Sequence, residues 1–331
     1  MDRFRIAVAA FAVVVCLPGL ATGQGFSYSE GYGSFGLGGV QVSPSVRVGY
    51  QHLALNLNIP VPFSGSFGAG LATQSELDFK LQDGGVWIGA AQVEARRDRL
   101  SAFLSAEANA PKNVRILTAS DPFWYSTYPV EWRGSRLEWW AIDGGGGVAL
   151  NAALAVVGGL RLEHLSIGLA DPVDPTGIIQ AFQAIYNDQY AGDFLTKTWL
   201  PYLGIRTVGQ SYRGLLRFSP VVFADAKIPL RYRYVNLPTN VAFEEADYTF
   251  KRSGLWIEGS FDSDVQVSTN FRWTLWLKGS WLQVRGTGRE GYRLDNVVGG
   301  VATHLLDDSG SARGSYTSYV LAVGMSGVYG F

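Results

Sequence analysis

The chain alternates. From residue 316 onward Thr317, Tyr319, Leu321, Val323, Met325, Gly327, Tyr329 and Phe331 share one face, most of them large and apolar. The positions between them, Ser318, Val320, Ala322, Gly324, Ser326, Val328 and Gly330, are small. Successive side chains of a strand point to opposite sides, so this pattern predicts a strand with one apolar and one narrow face. The period recurs in 266–285, where Val267, Thr269, Phe271, Trp273, Leu275, Leu277 and Trp281 oppose Gln266, Ser268, Asn270, Arg272, Thr274, Lys278 and Ser280. In 77–96, Leu77, Phe79, Leu81, Trp87, Gly89, Ala91, Val93 and Ala95 oppose Asp78, Lys80, Gln82, Gln92, Glu94 and Arg96. In 154–169, Leu154, Val156, Leu160 and Leu162 oppose Arg161 and Glu163.

One uncharged run, 144–160, competes as a membrane helix. Six glycines and Asn151 interrupt it, and it falls short of the roughly 20 residues a spanning helix needs. In lipid every backbone polar group must be paired within the protein, which leaves helices and closed barrels. The expectation is an all-β fold, an antiparallel up-and-down transmembrane β-barrel with strands 45–59, 77–96, 99–110, 135–149, 154–169, 197–208, 211–225, 253–264, 266–286 and 316–331. Turns fall near Arg97-Asp98, Asn151-Ala152, Gly209-Gln210 and Asp264-Val265 at one end. Loops of about 60–76, 111–134, 170–196, 226–252 and 287–315 fall at the other, the asymmetry such barrels show. A twelve-strand alternative splits 77–96 at Asp83-Gly84-Gly85 and 135–149 within 144–147. Asp143 would face lipid in an unbroken strand, so a bulge or break is expected near those glycines.

Composition narrows the function. Charged residues are 17% of the 331, against about 25% in soluble domains, aromatics are 13%, and the net charge is −1. That excludes intrinsic disorder and a strongly basic nucleic-acid binder. The single cysteine, Cys16, excludes a disulfide framework and a multi-cysteine zinc site. Residues 1–23 read as a signal peptide. Arg3 and Arg5 precede an apolar core, and Ala21 and Gly23 sit at −3 and −1 of a cleavage site. Residues 24–44 form a flexible Gly/Ser/Tyr-rich segment, and 45–331 the barrel. Gly31-Tyr32-Gly33-Ser34-Phe35-Gly36 matches the dinucleotide fingerprint in form only, because it lacks the flanking strand and helix. No cofactor and no metal site are expected.

Signal peptide, alternation, lack of cysteine in 24–331 and a terminal Phe331 together resemble the Gram-negative outer-membrane β-barrel superfamily. The resemblance covers the mature chain and picks out no family within it. It implies an outer-membrane location, contact with outer-membrane lipid, and an assembly machinery that reads the last strand at Phe331.

The expected lumen face carries Arg47, Asp78, Lys80, Glu94, Arg96, Glu107, Arg136, Glu138, Arg161, Glu163, Arg206, Arg213, Arg217, Glu258, Asp262, Arg272 and Lys278. In a low-dielectric barrel these must pair or stay wet. Eight strands are just filled by their own side chains, while water-filled porins need about 16–18. The expected function is therefore a non-enzymatic barrel, either a narrow porin-like channel for small solutes or a structural surface protein. Two alternatives stand beside it. His164-Leu165-Ser166 resembles the His-x-Ser pair of outer-membrane phospholipases and lipid A deacylases, although their Asn-Gly continuation is Ile167-Gly168 here and no third member is evident. An adhesin or receptor would work through the long loops, where 177–188 has helical spacing. The omptin proteases are also ten-strand barrels, but they need paired acids and an Asp–His dyad, and the only acid beside a histidine is Glu163 at His164.

Overall fold

Residues 35–37, 39–61, 75–81, 84–119, 130–173, 190–208, 211–220, 223–234, 240–251, 254–268, 271–298 and 301–329 are described in the computed structural model. The signal peptide, residues 24–34 and 38 of the 24–44 segment, the 177–188 segment and Phe331 lie outside them; the described part of 24–44 is strand, with Phe35–Leu37 paired to Val40–Val42. Among the described residues ten antiparallel strands close into a ring, with the short strands Phe35–Leu37 and Pro172–Val173 paired at its ends. The ten are β1 (Val40–Val61), β2 (Ser75–Leu81 and Gly85–Arg97), β3 (Leu100–Asn109 and Lys112–Ala119), β4 (Val130–Ala149), β5 (Leu154–Leu169), β6 (Tyr190–Val208), β7 (Tyr212–Pro220 and Phe223–Tyr234), β8 (Asn240–Lys251 and Gly254–Ser268), β9 (Phe271–Val298) and β10 (Val301–Tyr329). Each pairs with the next, and β10 returns to β1 from Ser315↔Asn58 to Met325↔Val48. Over that length each strand is paired on both sides, the condition for crossing a bilayer with strands.

At one end the hairpins are tight. Asp98 takes the left-handed conformation (φ 53°) between β2 and β3, a conformation that short polar residues tolerate. Asn151 Oδ1 accepts the Ala153 N–H at 2.9 Å between β4 and β5. The β8–β9 hairpin closes beyond Ser268↔Phe271, five residues later than the Asp264-Val265 expected from sequence. At the other end, 226–252 and 287–315 were expected as loops. They are instead continuations of β7–β8 and β9–β10, paired out to Tyr234↔Asn240 and Val298↔Val301.

The twelve-strand alternative fails because neither break reverses the chain. In β2, pairing with β1 moves from His52↔Gly85 to Asn56↔Lys80, a one-residue slip that exchanges the faces. Lys80, expected in the lumen, is therefore exposed, and Leu81 is buried instead. The 144–147 glycines run straight through β4. Gly145, with Gly159 opposite it on β5, makes room for Tyr202: a Cβ on either would meet Tyr202 Oη at 2.9 or 2.6 Å.

The outer surface of the lower barrel is apolar. Leu104, Ile142, Leu160, Leu203, Leu216, Ile257, Leu275, Leu277, Leu321 and Val323 are all exposed on outward faces. Tyr212 and Phe261 stack at its tight-turn margin, with ring centroids 6.2 Å apart. Trp87, Trp199 and Tyr319 are exposed at its other margin. On β6 this band spans Trp199 to Thr207, roughly 20 Å at a strand tilt near 40°, close to the height of a bilayer-facing belt. Above it the facing inverts. Lys80, Arg133, Arg136, Asp193, Lys197 and Arg285 now point outward, while Leu81, Trp132, Leu137, Phe194, Leu282 and Val284 are buried inside.

Candidate functional site: the filled bore

Three layers fill the bore. The lowest, near the tight turns, is ionic. Arg47 on β1 reaches Asp262 on β8 through two bonds of 2.8 and 3.2 Å. Arg206 on β6 reaches Glu94 on β2 at 2.5 Å, and Arg96 bonds the same carboxylate at 3.0 Å. Arg213 lies 3.6 Å from Asp262 and 3.9 Å from Asp264. Thr274 donates to Asp264 at 2.8 Å.

The middle layer is an ion network with aromatic walls. Arg161 contacts Glu163 at 2.6 Å, Glu107 at 3.2 Å and Asp143 at 3.8 Å. Lys278 on β9 donates to Glu107 on β3 at 2.5 Å, across the bore. Arg217 bonds both Asp143 and Glu258. Tyr202 gives its hydroxyl to Asp143 at 2.7 Å, along the path the glycines clear. The Arg217 guanidinium sits 4.6 Å from the Tyr202 ring and 5.3 Å from that of Trp256. Buried charges need this kind of saturation, because desolvation costs several kcal/mol per ion.

The top layer is apolar. Leu53, Leu55, Val86, Ile88, Val114, Ile116, Leu137, Ile167, Phe194, Leu282, Val284 and Tyr316 form a continuous core, each at most 4% exposed. Between the ionic layers, a cavity of about 120 Å³ is lined by Arg47, Glu94, Phe103, Arg206, Arg213, Trp276 and others.

Of the expected lumen residues, Arg47, Glu94, Arg161, Glu163, Arg206, Arg213, Arg217, Glu258 and Lys278 face the bore, with Arg96, Glu107 and Asp262. Arg136 and Glu138 do not. They form a 3.2 Å pair on the outer surface, because the phase of β4 is opposite to the expectation. Trp139 and Asp143 are the buried members of that strand. The Asp78 and Arg272 side chains lie outside the described residues. Asp143 is the hub. Its lipid-facing position in an unbroken strand was the reason to expect a bulge or break near the glycines; the strand is unbroken, and its reversed phase turns Asp143 inward.

His164 and Ser166 point outward, above the apolar band. His164 is 5% exposed and packs on Trp140 with ring centroids 5.2 Å apart. Glu138 lies directly across from Ser166. His52 is exposed on the outer face, opposite Leu321 and Gly85. Among the described residues no group of three His, Cys, Asp or Glu side chains is placed to hold a metal.

Closed antiparallel ring, apolar belt and filled bore define a ten-strand β-barrel. No protein-family model matches the chain, and no curated protein matches it. Among solved structures it is similar to the outer-membrane protease OmpT from Escherichia coli. The TM-score is 0.56 with 10% identity, over 92% of this chain and 99% of that one. At that identity the likeness is one of fold. A Pseudomonas aeruginosa FadL homologue and the P. putida toluene transporter TodX align over 87% of this chain and 90% of theirs at 9% identity. Their TM-scores of 0.32 and 0.29 carry no argument.

Proposed function

We propose that the protein is an exported outer-membrane β-barrel of a Gram-negative bacterium that works as a structural surface protein without catalytic activity. The apolar belt is its lipid contact, and the long β7–β8 and β9–β10 hairpins are the parts it presents outside. One observation carries the choice of a closed barrel over a pore: the dry layer of Leu137, Ile167, Phe194, Leu282 and Val284 fills the bore above the ion network. Water does not wet such a layer, because apolar lining offers it no hydrogen bonds. The hydrolase reading loses support from the covering of His164 by Trp140.

The cavity favours one second reading, a narrow porin-like channel for small solutes, which requires the dry layer to part. Planar-bilayer recording of the purified barrel separates the two. The closed reading expects no steps above leak. Steady steps with a reproducible conductance select the channel.

A further inference from the structure

The cavity between the ionic layers is balanced in charge. Six basic side chains line it against five carboxylates, and Asp264, 3.9 Å from Arg213, makes a sixth. Only a site of one sign concentrates the opposite ion, so this one favours neither an anion nor a cation. Its hydrogen bonding is not balanced within the protein. Glu258 accepts Arg217 through Oε1, and its Oε2 is buried with no donor among the described residues. Arg217 Nε and Trp276 Nε1 are buried donors with no acceptor among the same residues. Glu258, Arg217 and Trp276 are 3%, 5% and 5% exposed, and all three line this one cavity. Buried polar groups are nearly always paired, because one left alone loses its hydration and gains nothing. Two donors and an acceptor around one space call for a guest that both accepts and donates. Glycines seat one of the donors: the Trp276 ring lies on the bare backbone of Gly49 and Gly324, where a Cβ would collide with it.

The space exceeds a single water. A water needs about 10–15 Å³, so about 120 Å³ holds on the order of ten such positions. Ile88, Ala90, Phe103 and Leu215 give the lining an apolar side for a carbon skeleton. Sites for organic solutes combine such walls with a few convergent polar groups. A primary amide carries an oxygen with two acceptor positions and N–H donors on one small planar group, which matches two donors and one acceptor. Entry is from the turns, since side-chain exposure rises from 12% at Arg206 through 27% at Arg213 to 43% at Arg96.

We propose that this cavity binds a small neutral solute of the primary-amide class, entering from the tight-turn end. Its carbonyl oxygen accepts from Arg217 Nε and Trp276 Nε1, and its N–H donates to Glu258 Oε2. The site stands whether or not the apolar layer above it conducts, so bilayer recordings and the test below fail independently.

Residues 24–331 contain no cysteine, so a single introduced thiol reports cleanly. Ser105 and Ser260 line the cavity. Folded Ser260→Cys protein in detergent would be modified with methyl methanethiosulfonate in the presence of acetamide, acetate or acetamidinium. These three share one shape and are neutral, anionic and cationic, and each rate is scaled to a free thiol under the same conditions. Millimolar acetamide is expected to slow the reaction severalfold, with the two ions at matched ionic strength doing little. Adding Trp276→Phe keeps an aromatic ring and removes the donor, and should weaken the acetamide protection severalfold. No protection by acetamide overturns the proposal and leaves a cavity that takes water only. Protection by either ion equal to that by acetamide overturns it too, as does undiminished protection in folded Trp276→Phe protein or a thiol that the reagent reaches at neither Ser260 nor Ser105. The comparison of the three solutes is read with Glu258, Arg217 and Trp276 in place, so a misfolded Trp276→Phe variant does not rescue it.

Discussion

The lower and upper halves of the barrel obey opposite rules. In the lower half the outer face is apolar and the inner face carries Arg47, Glu94, Glu107, Arg161, Arg217 and Lys278. In the upper half Lys80, Arg136, Asp193 and Lys197 are outside and Leu81, Leu137, Ile167 and Phe194 inside. Where side chains are described on both halves, as on β4, β5, β6 and β9, the strand changes its polarity without changing direction. The surroundings account for this. A belt in lipid must be apolar outward, and its inner charges are tolerated only because they pair across the bore. A barrel standing in water follows the ordinary rule and buries its apolar face. On the proposed outer-membrane location, the same ten strands hold a membrane barrel below and a water-type barrel above, and the apolar core of the upper part closes the bore of the lower one.

Asp143→Ala tests the ionic half where it is most connected. The change leaves Arg217 and Arg161 short of a partner and strips the acceptor from Tyr202. Removing one member of a buried network costs about 3–5 kcal/mol, read as a lower midpoint in a denaturant titration of the folded barrel. A loss below about 1 kcal/mol would mean that Asp143 is not inside.

In the dry half, Leu282→Ala should cost about 2–5 kcal/mol, the transfer loss plus the cavity left behind. No cost would mean that Leu282 faces water or lipid.

The outer surface gives a paired test on one strand. Leu275→Arg in the belt should cost about 2–4 kcal/mol, whereas Gln283→Arg, eight residues up the same face, should stay within about 0.5 kcal/mol. Equal costs would erase the boundary between the halves.

The smallest effect is expected at Arg136→Ala. An exposed pair contributes about 0–1 kcal/mol, so its loss should barely move the unfolding curve. A large loss would return Arg136 and Glu138 to the bore.

What the sequence made legible follows the same division. In the lower half apolar and charged residues alternate, and the faces of 273–285, 154–169 and 316–326 are read directly, including Arg161 and Glu163 inward and His164 and Ser166 outward. The upper half reverses the sign of that alternation. Leu137 and Trp139 then looked lipid-facing, and β4 was assigned the wrong phase, taking Arg136 and Glu138 into the lumen and Asp143 out of it. In β2 the one-residue slip near Gly84 exchanged Lys80 and Leu81, which no periodicity count registers. The paired extensions of β7–β10 were hidden for a different reason. Stretches such as 287–315 are rich in Gly, Ser and charge, and only the partner strand makes them regular.

Single cysteines at 275, 277, 282, 283, 284 and 285 on β9, treated with a water-soluble maleimide on barrels in lipid vesicles, test the inversion most directly. The account predicts reaction at 283 and 285 and silence at 275, 277, 282 and 284, because the first pair of silent sites lies in lipid and the second in the dry core. Reaction at 282 and 284 with silence at 283 and 285 would contradict it, since that pattern belongs to a membrane barrel with a wet lumen along its whole length.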